Sequence, residues 1–124
     1  MTTQAIIYIE SDMDADAADA DCYTPAQIEA LRRGDWEYVG VIPVVEIEEG
    51  DASVTIRGSS LWSVEGPGMP ITDEADEVLS IYSREDAEAY WRTVAADGWA
   101  DVEVPAWITL PAIDWSTAKI VERF

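Results

Sequence analysis

Trp36-Glu37-Tyr38-Val39-Gly40-Val41-Ile42-Pro43-Val44-Val45-Glu46-Ile47-Glu48 and Ser53-Val54-Thr55-Ile56-Arg57-Gly58-Ser59-Ser60-Leu61-Trp62-Ser63-Val64-Glu65 are two β-rich runs, and Glu49-Gly50-Asp51 lies between them. β-Branched and aromatic residues fill both runs, and the glycine can take up a positive φ, so the pair reads as an antiparallel hairpin. In the second run Val54, Ile56, Trp62 and Val64 share one face, with Gly58 and Ser60 between them. Thr55, Arg57, Ser59 and Ser63 share the other, and Leu61 alone interrupts the alternation. Pro43 cannot donate to a strand ladder, which predicts a sheet edge or a bulge at that point.

Upstream, Gln4–Glu10 is apolar enough to be a buried strand. Residues Ser11–Cys22 (SDMDADAADADC) read as an acidic loop. Thr24 is a suitable helix N-cap, Pro25 a suitable first helical residue and Gln27 the partner of a capping box. Gly34 stands where a left-handed C-terminal residue belongs, so Thr24–Arg33 is a short helix with Ile28 and Leu31 turned inward.

Downstream, Gly66-Pro67-Gly68-Met69-Pro70 is a loop, and a short helix is expected over Asp73–Ile81 after Thr72. A stronger helix is expected over Arg84–Asp97, with Ser83 as N-cap and Gly98 closing it. Its Ala87, Tyr90, Trp91, Val94 and Ala95 fall on one helical face. Trp107–Leu110 is expected to be a strand, and Thr117–Phe124 is compatible with strand or helix. The order predicts one α+β domain over residues 1–124 with the acidic loop at 11–22. An antiparallel sheet would carry helices packed on one face, in the ferredoxin-like β-α-β-β-α-β order. An antiparallel meander with one helical layer is the alternative.

Composition bounds the chemistry. The chain has 124 residues, 26 acidic against 7 basic, no histidine and a net charge of −19. At 48% hydrophobic residues it is far from an acidic disordered tail. Cys22 is the single cysteine, which excludes an intramolecular disulfide. The N-terminus carries no basic region of the secretory type, and the apolar runs Ile6–Ile9 and Val39–Val45 are too short to span a bilayer. A cytoplasmic protein without membrane contact is expected.

Without histidine there is no Ser-His-Asp triad, Cys-His pair or histidine-based zinc site. No glycine-rich phosphate loop is present, and no spacing singles out a catalytic carboxylate pair. Asp12-x-Asp14-x-Asp16 matches the start of a calcium loop, but Ala17 and Tyr23 stand where glycine and a bidentate glutamate are needed. No catalytic residue, metal or cofactor is expected, and the chain does not read as an enzyme.

The charge points instead to a class of partner. It repels nucleic acid and anionic membranes and favours a strongly basic protein surface, such as the cleft of a nucleic-acid-binding protein. Three acidic clusters are the candidate partner-binding residues: Asp12, Asp14, Asp16, Asp19 and Asp21; Glu46, Glu48, Glu49 and Asp51; and Asp73, Glu74, Asp76 and Glu77. In extended chain, i and i+2 carboxylates stand about 6.6 Å apart, close to the step between successive phosphates. Two rival readings accompany this one. A small interaction or assembly module would bind through exposed aromatics among Trp99, Trp107 and Trp115, and a domain from a halophile would owe its acidity to its solvent. Oligomeric state is open, a homodimer included.

Asp35-Trp36-Glu37-Tyr38-Val39-Gly40-Val41 followed by Ser60-Leu61-Trp62-Ser63-Val64-Glu65 resembles the hairpin of small acidic proteins encoded by phages and mobile elements. The resemblance covers about thirty residues and brings no catalytic residues with it. It implies a phage or mobile-element context, hence the host-cell cytoplasm. It also implies kinship in role with anti-restriction and anti-CRISPR inhibitors, several of which mimic DNA and bind a defence nuclease.

Overall fold

The computed structural model describes residues 2–13 and 22–124. Its centre is β2 (Tyr38–Glu49), flanked on one side by β1 (Thr2–Ser11), antiparallel to it from Thr2↔Glu48 to Ser11↔Val39. On its other side two strands lie end to end: β3 (Ala52–Arg57) against the second half of β2, and β4 (Leu61–Glu65) against the first. The last strand, β7 (Lys119–Arg123), adds to β1 in parallel, giving the order β3-β2-β1-β7 with β4 also on β2. The α+β class expected from the sequence is the class of the fold. The sheet is mixed, however, and β1 and β2 are adjacent and antiparallel across a helix, so the strand order is not the ferredoxin-like one.

The second hairpin run is thus two strands, not one. Pro43 explains the break. Its carbonyl accepts from Gly58 N–H at 2.9 Å, so the side of β2 that lacks a proline N–H faces the gap between β3 and β4. The chain detours there to the end of a helix, where Ser59 N–H donates to the Gly98 carbonyl at 2.9 Å. A Cβ on Gly58 would lie 2.9 Å from that carbonyl oxygen, and one on Gly98 would overlap Ser59. β2 is therefore an interior strand that tolerates proline opposite a pause in its neighbour. A bulge follows, since Val39 pairs with Val64 but Val41 with Leu61, and Ser63 takes φ 58° to absorb the extra residue. That shift turns Trp62 onto the backbone of Gly40, where no side chain would fit beneath its ring.

The helix α1 (Pro25–Arg33) has the expected capping box between Thr24 and Gln27, and Gly34 closes it at φ 83°. Ala30 is its fully buried residue, while Ile28 and Leu31 are half-buried. It packs with Trp36 and Tyr38 in an aromatic cluster that Tyr23 completes, with ring centroids 5.1–6.1 Å apart. The second helix, α2 (Arg84–Trp99), lies across the main sheet and buries Ala87, Trp91, Val94 and Ala95 against Ile7, Ile9, Val39, Val41 and Val45. Tyr90 stays exposed, at the margin of that stripe. Gly98 lies within the last turn of α2 and does not close it, because its place is set by the approach of Ser59.

Between the helices the structure departs from expectation. Residues Asp73–Ile81 do not form a helix. Strands β5 (Pro70–Thr72) and β6 (Val78–Ile81) make a separate two-stranded hairpin. Residues Trp107–Leu110 are not a strand either. Pro105 and Pro111 bracket them, and Ile108 N–H closes a turn onto the Pro105 carbonyl. Thr117–Phe124, compatible with two states in sequence, is mostly strand β7, entered through a 3-10 turn at Trp115–Thr117.

Candidate partner-binding surface

The strand register sets where the acidic clusters lie. Thr2 pairs with Glu48 and Ser11 with Val39, nine steps along β1, or about 31 Å at 3.4 Å per residue. Glu46, Glu48, Glu49 and Asp51 occupy one end of the sheet. Asp12 sits beyond the other end, where its N–H donates to the Tyr38 carbonyl. Tyr38 belongs to the aromatic cluster under α1, and the β5–β6 hairpin carrying Asp73–Glu77 is fastened to that helix. Asp12 and Asp73–Glu77 thus share one end and the hairpin tip holds the other. Asp14, Asp16, Asp19 and Asp21 lie outside the described residues.

At the β2–β3 tip, Glu46 and Glu48 alternate onto one face of β2, opposite Gln4 and Thr55, and Thr2 and Ser53. Glu49 and Asp51 flank Gly50, whose φ of 60° makes the turn. Glu48, Glu49 and Asp51 are exposed and Glu46 is half-buried. None of the four carboxylates has a hydrogen-bond or ion-pair partner among the described residues.

The carboxylates at the other end divide into two kinds. Asp12 Oδ2 accepts from Ser63 N–H at 2.8 Å and from its hydroxyl at 3.3 Å, which holds the left-handed bulge residue in place. Asp73 Oδ1 accepts from the N–H groups of Ala75 and Glu77 at 2.9 and 3.0 Å and closes the β5–β6 turn. Asp76, itself left-handed at φ 60°, accepts from Ala26 N–H at 3.1 Å in the first turn of α1. These three are engaged in the fold. Glu74 and Glu77 are exposed, and their carboxylates have no such partner among the described residues.

The few cations do little to neutralise this surface. Arg33 is held by Glu29 and Asp35, which raise its pKa, Arg84 by Glu88 and Glu122, and Arg123 by Glu10. Arg123 also lies over the Tyr8 ring, 3.8 Å from its centroid. In the aromatic cluster Tyr23 O–H donates to Glu65 Oε1 at 2.8 Å. Burial, with the hydrogen bonds to Tyr38 and Glu65, pushes the Tyr23 phenol well above its ordinary pKa. Burial does the same to Tyr82 in smaller degree.

Sequence reasoning missed the apolar part of the surface. Val78, Leu79 and Ile81 are 54%, 68% and 55% exposed and Ile71 is 39% exposed, so one small hairpin carries four large uncovered aliphatics. Val78, Leu79 and Ile81 fall in the stretch expected to be a helix over Asp73–Ile81, and that expectation hid their exposure. The signal that could have found them is Pro70 and Thr72 before an Asp-rich turn and a β-branched run after it. Of the tryptophans named as anchors, Trp107 is 75% exposed, whereas Trp115 is buried and Trp99 packs on it. The larger clefts are shallow grooves beside α2. One of about 500 Å³ contains the Arg84–Glu122 pair. No group of metal-ligating residues occurs among the described residues, and no helix among them is long and apolar enough to cross a membrane. No family model, curated protein or solved structure matches the chain.

Proposed function

We propose that this protein is a non-enzymatic acidic inhibitor that occupies the nucleic-acid-binding cleft of a basic protein, of the kind found in restriction and CRISPR defence nucleases, by charge mimicry. The observation that carries the reading is the net charge of −19 together with carboxylates that have no partner among the described residues, at the β2–β3 tip and on the β5–β6 turn. Separated by about 31 Å, the two ends of the sheet span close to one turn of a DNA duplex, about 34 Å. Glu46 and Glu48, two residues apart on one strand face, repeat at roughly the phosphate step. The hairpin likeness to small phage and mobile-element proteins supports the same reading, and with it a host cytoplasm as the site of action. Direct contact with nucleic acid or an anionic membrane is disfavoured by the same charge.

The experiment is direct binding to a panel of purified restriction and CRISPR effector proteins at about 50 mM salt, with duplex DNA as competitor. A mimic binds at least one of them, is displaced by DNA, and loses affinity by an order of magnitude or more by about 200 mM salt. Binding that DNA does not compete away would exclude cleft occupation. The exposed Trp107 favours a second reading, an interaction module anchored by an aromatic residue. That module would keep its affinity over the same salt range and lose it on Trp107→Ala.

A further inference from the structure

The β5–β6 hairpin has the wrong composition for a solvated surface. Val78, Leu79 and Ile81 are each more than half exposed, and Ile71, across from Ser80 on the paired strand, is exposed on the opposite face from Ile81. Isolated two-stranded hairpins are marginal in water, so exposed aliphatics here are costly unless something covers them. α1 covers the β5 side, where the Gln27 side-chain amide donates to the Pro70 carbonyl at 2.9 Å. β6 is the outer strand.

Three coverings are conceivable, and the geometry separates them. Strand addition to β6 is hindered by its own irregularity. Ile71 pairs with Ser80 and Thr72 with Val78, so Leu79 is an extra, bulged residue that interrupts an edge only four residues long. A second copy would bring two chains of net charge −19 together, with Glu74 and Glu77 of each beside the patch. A basic surface with an apolar recess meets neither obstacle. The carboxylates of Glu74 and Glu77, without partners among the described residues, would face its Lys and Arg rim while Leu79 filled the recess.

We infer that the β5–β6 hairpin is an apolar anchor: Leu79, Ile81 and Val78 insert into a recess on a basic protein surface, and Glu74 and Glu77 pair with its rim. This rests on the charge-mimic reading and adds to it. Acids set the rate of encounter, and the hairpin sets the residence time.

The test uses two synthetic peptides of equal positive charge, one alternating leucine with lysine and the other serine with lysine. Binding to the whole protein is measured at about 50 mM salt. The wild type should prefer the leucine peptide by about tenfold or more, as burial of one or two aliphatic side chains would give. In the doubly substituted L79S/I81S protein the preference should vanish while the serine peptide binds as before, because no charge has changed. Amide shifts in the wild type should map the leucine peptide to Val78–Ile81. Val78→Thr, which keeps β-branching, should lose part of the preference and covers the case in which the double variant fails to fold. A preference retained in L79S/I81S, or shifts confined to Glu46–Asp51, would overturn the anchor and leave the charge reading standing. Failure of the serine peptide to bind either protein would instead count against the charge reading. A wild-type dimer in sedimentation that L79S/I81S dissociates would assign the hairpin to a second copy and overturn the proposal.

Discussion

Asp12 shows how little a residue's type says about its task in so acidic a chain. Among twenty-six carboxylates it looks like one more solvated acid, yet it receives both the N–H and the hydroxyl of Ser63. Without it, the left-handed Ser63 loses the acceptor that offsets its strain. Asp12→Ala should therefore cost about 0.5–1.5 kcal/mol in urea unfolding, the net worth of a hydrogen bond whose donor water can reach. Glu48→Gln, at an exposed position without a partner among the described residues, should change stability by less than about 0.5 kcal/mol. Equal effects from the two would show that Asp12 is only a surface charge. Tyr23 makes a second contrast. Its phenol has a raised pKa in the fold, chiefly through burial, so the neutral form is favoured there. Its contribution is whole below the ordinary tyrosine value of about 10 and is lost as pH rises above it. Alkaline unfolding should set in above about pH 10, and Tyr23→Phe should flatten that limb while losing the bond to Glu65. An unchanged alkaline limb in Tyr23→Phe would place the sensitivity elsewhere.

At the scale of elements, the legible ones were those whose signals are local. Thr24, Pro25, Gln27 and Gly34 specify α1 almost alone, and Ser83 with the stripe of Ala87, Trp91, Val94 and Ala95 specifies α2. The missed elements depend on contacts distant in sequence. The pause between β3 and β4 exists because Gly58 and Ser59 must meet Pro43 and Gly98, forty residues further on. The β5–β6 hairpin was misread because Asp73, Glu74, Asp76 and Glu77 after Thr72 look like a helix start. Two of those acids instead close a turn and cap a different helix. The same limit applies to the site. The sequence shows the acids, but only the fold sorts free carboxylates from engaged ones and uncovers the aliphatics. The Gly58–Gly98 junction can be probed directly. Gly98→Ala is normally favourable in a helix, by about 1 kcal/mol. Here the new methyl would overlap the Ser59 carbonyl, so the substitution should destabilise by about 1–3 kcal/mol. Gly40→Ala should cost less, because the overlapping Trp62 ring is 42% exposed and can swing away, and should instead shift tryptophan fluorescence. A stabilised Gly98→Ala protein would mean that the loop at Ser59 yields easily.

For the whole molecule, salt acts on two properties in opposite directions. The net charge of −19 opposes the compact state through self-repulsion, which the ion pairs of Arg33, Arg84 and Arg123 relieve only in part, so added salt should raise the melting temperature. Binding to a basic cleft should weaken over the same range, because screening removes the attraction that drives it. The combined substitution E46Q/E48Q/E49Q/D51N removes four charges from the tip without touching a bond within the described residues. It should leave stability equal or higher, slow association severalfold, reduce the salt dependence and change the dissociation rate little. The L79S/I81S hairpin variant should do the reverse, speeding dissociation at constant salt dependence. A halophilic domain would separate from both by unfolding as salt is withdrawn. The decisive measurement is association and dissociation by surface plasmon resonance at several salt concentrations, alongside circular dichroism of the free protein. A protein that stays folded at low salt, with an association rate that falls steeply as salt rises, is what charge mimicry requires. An association rate indifferent to salt and to the four tip carboxylates would remove the charge from the mechanism.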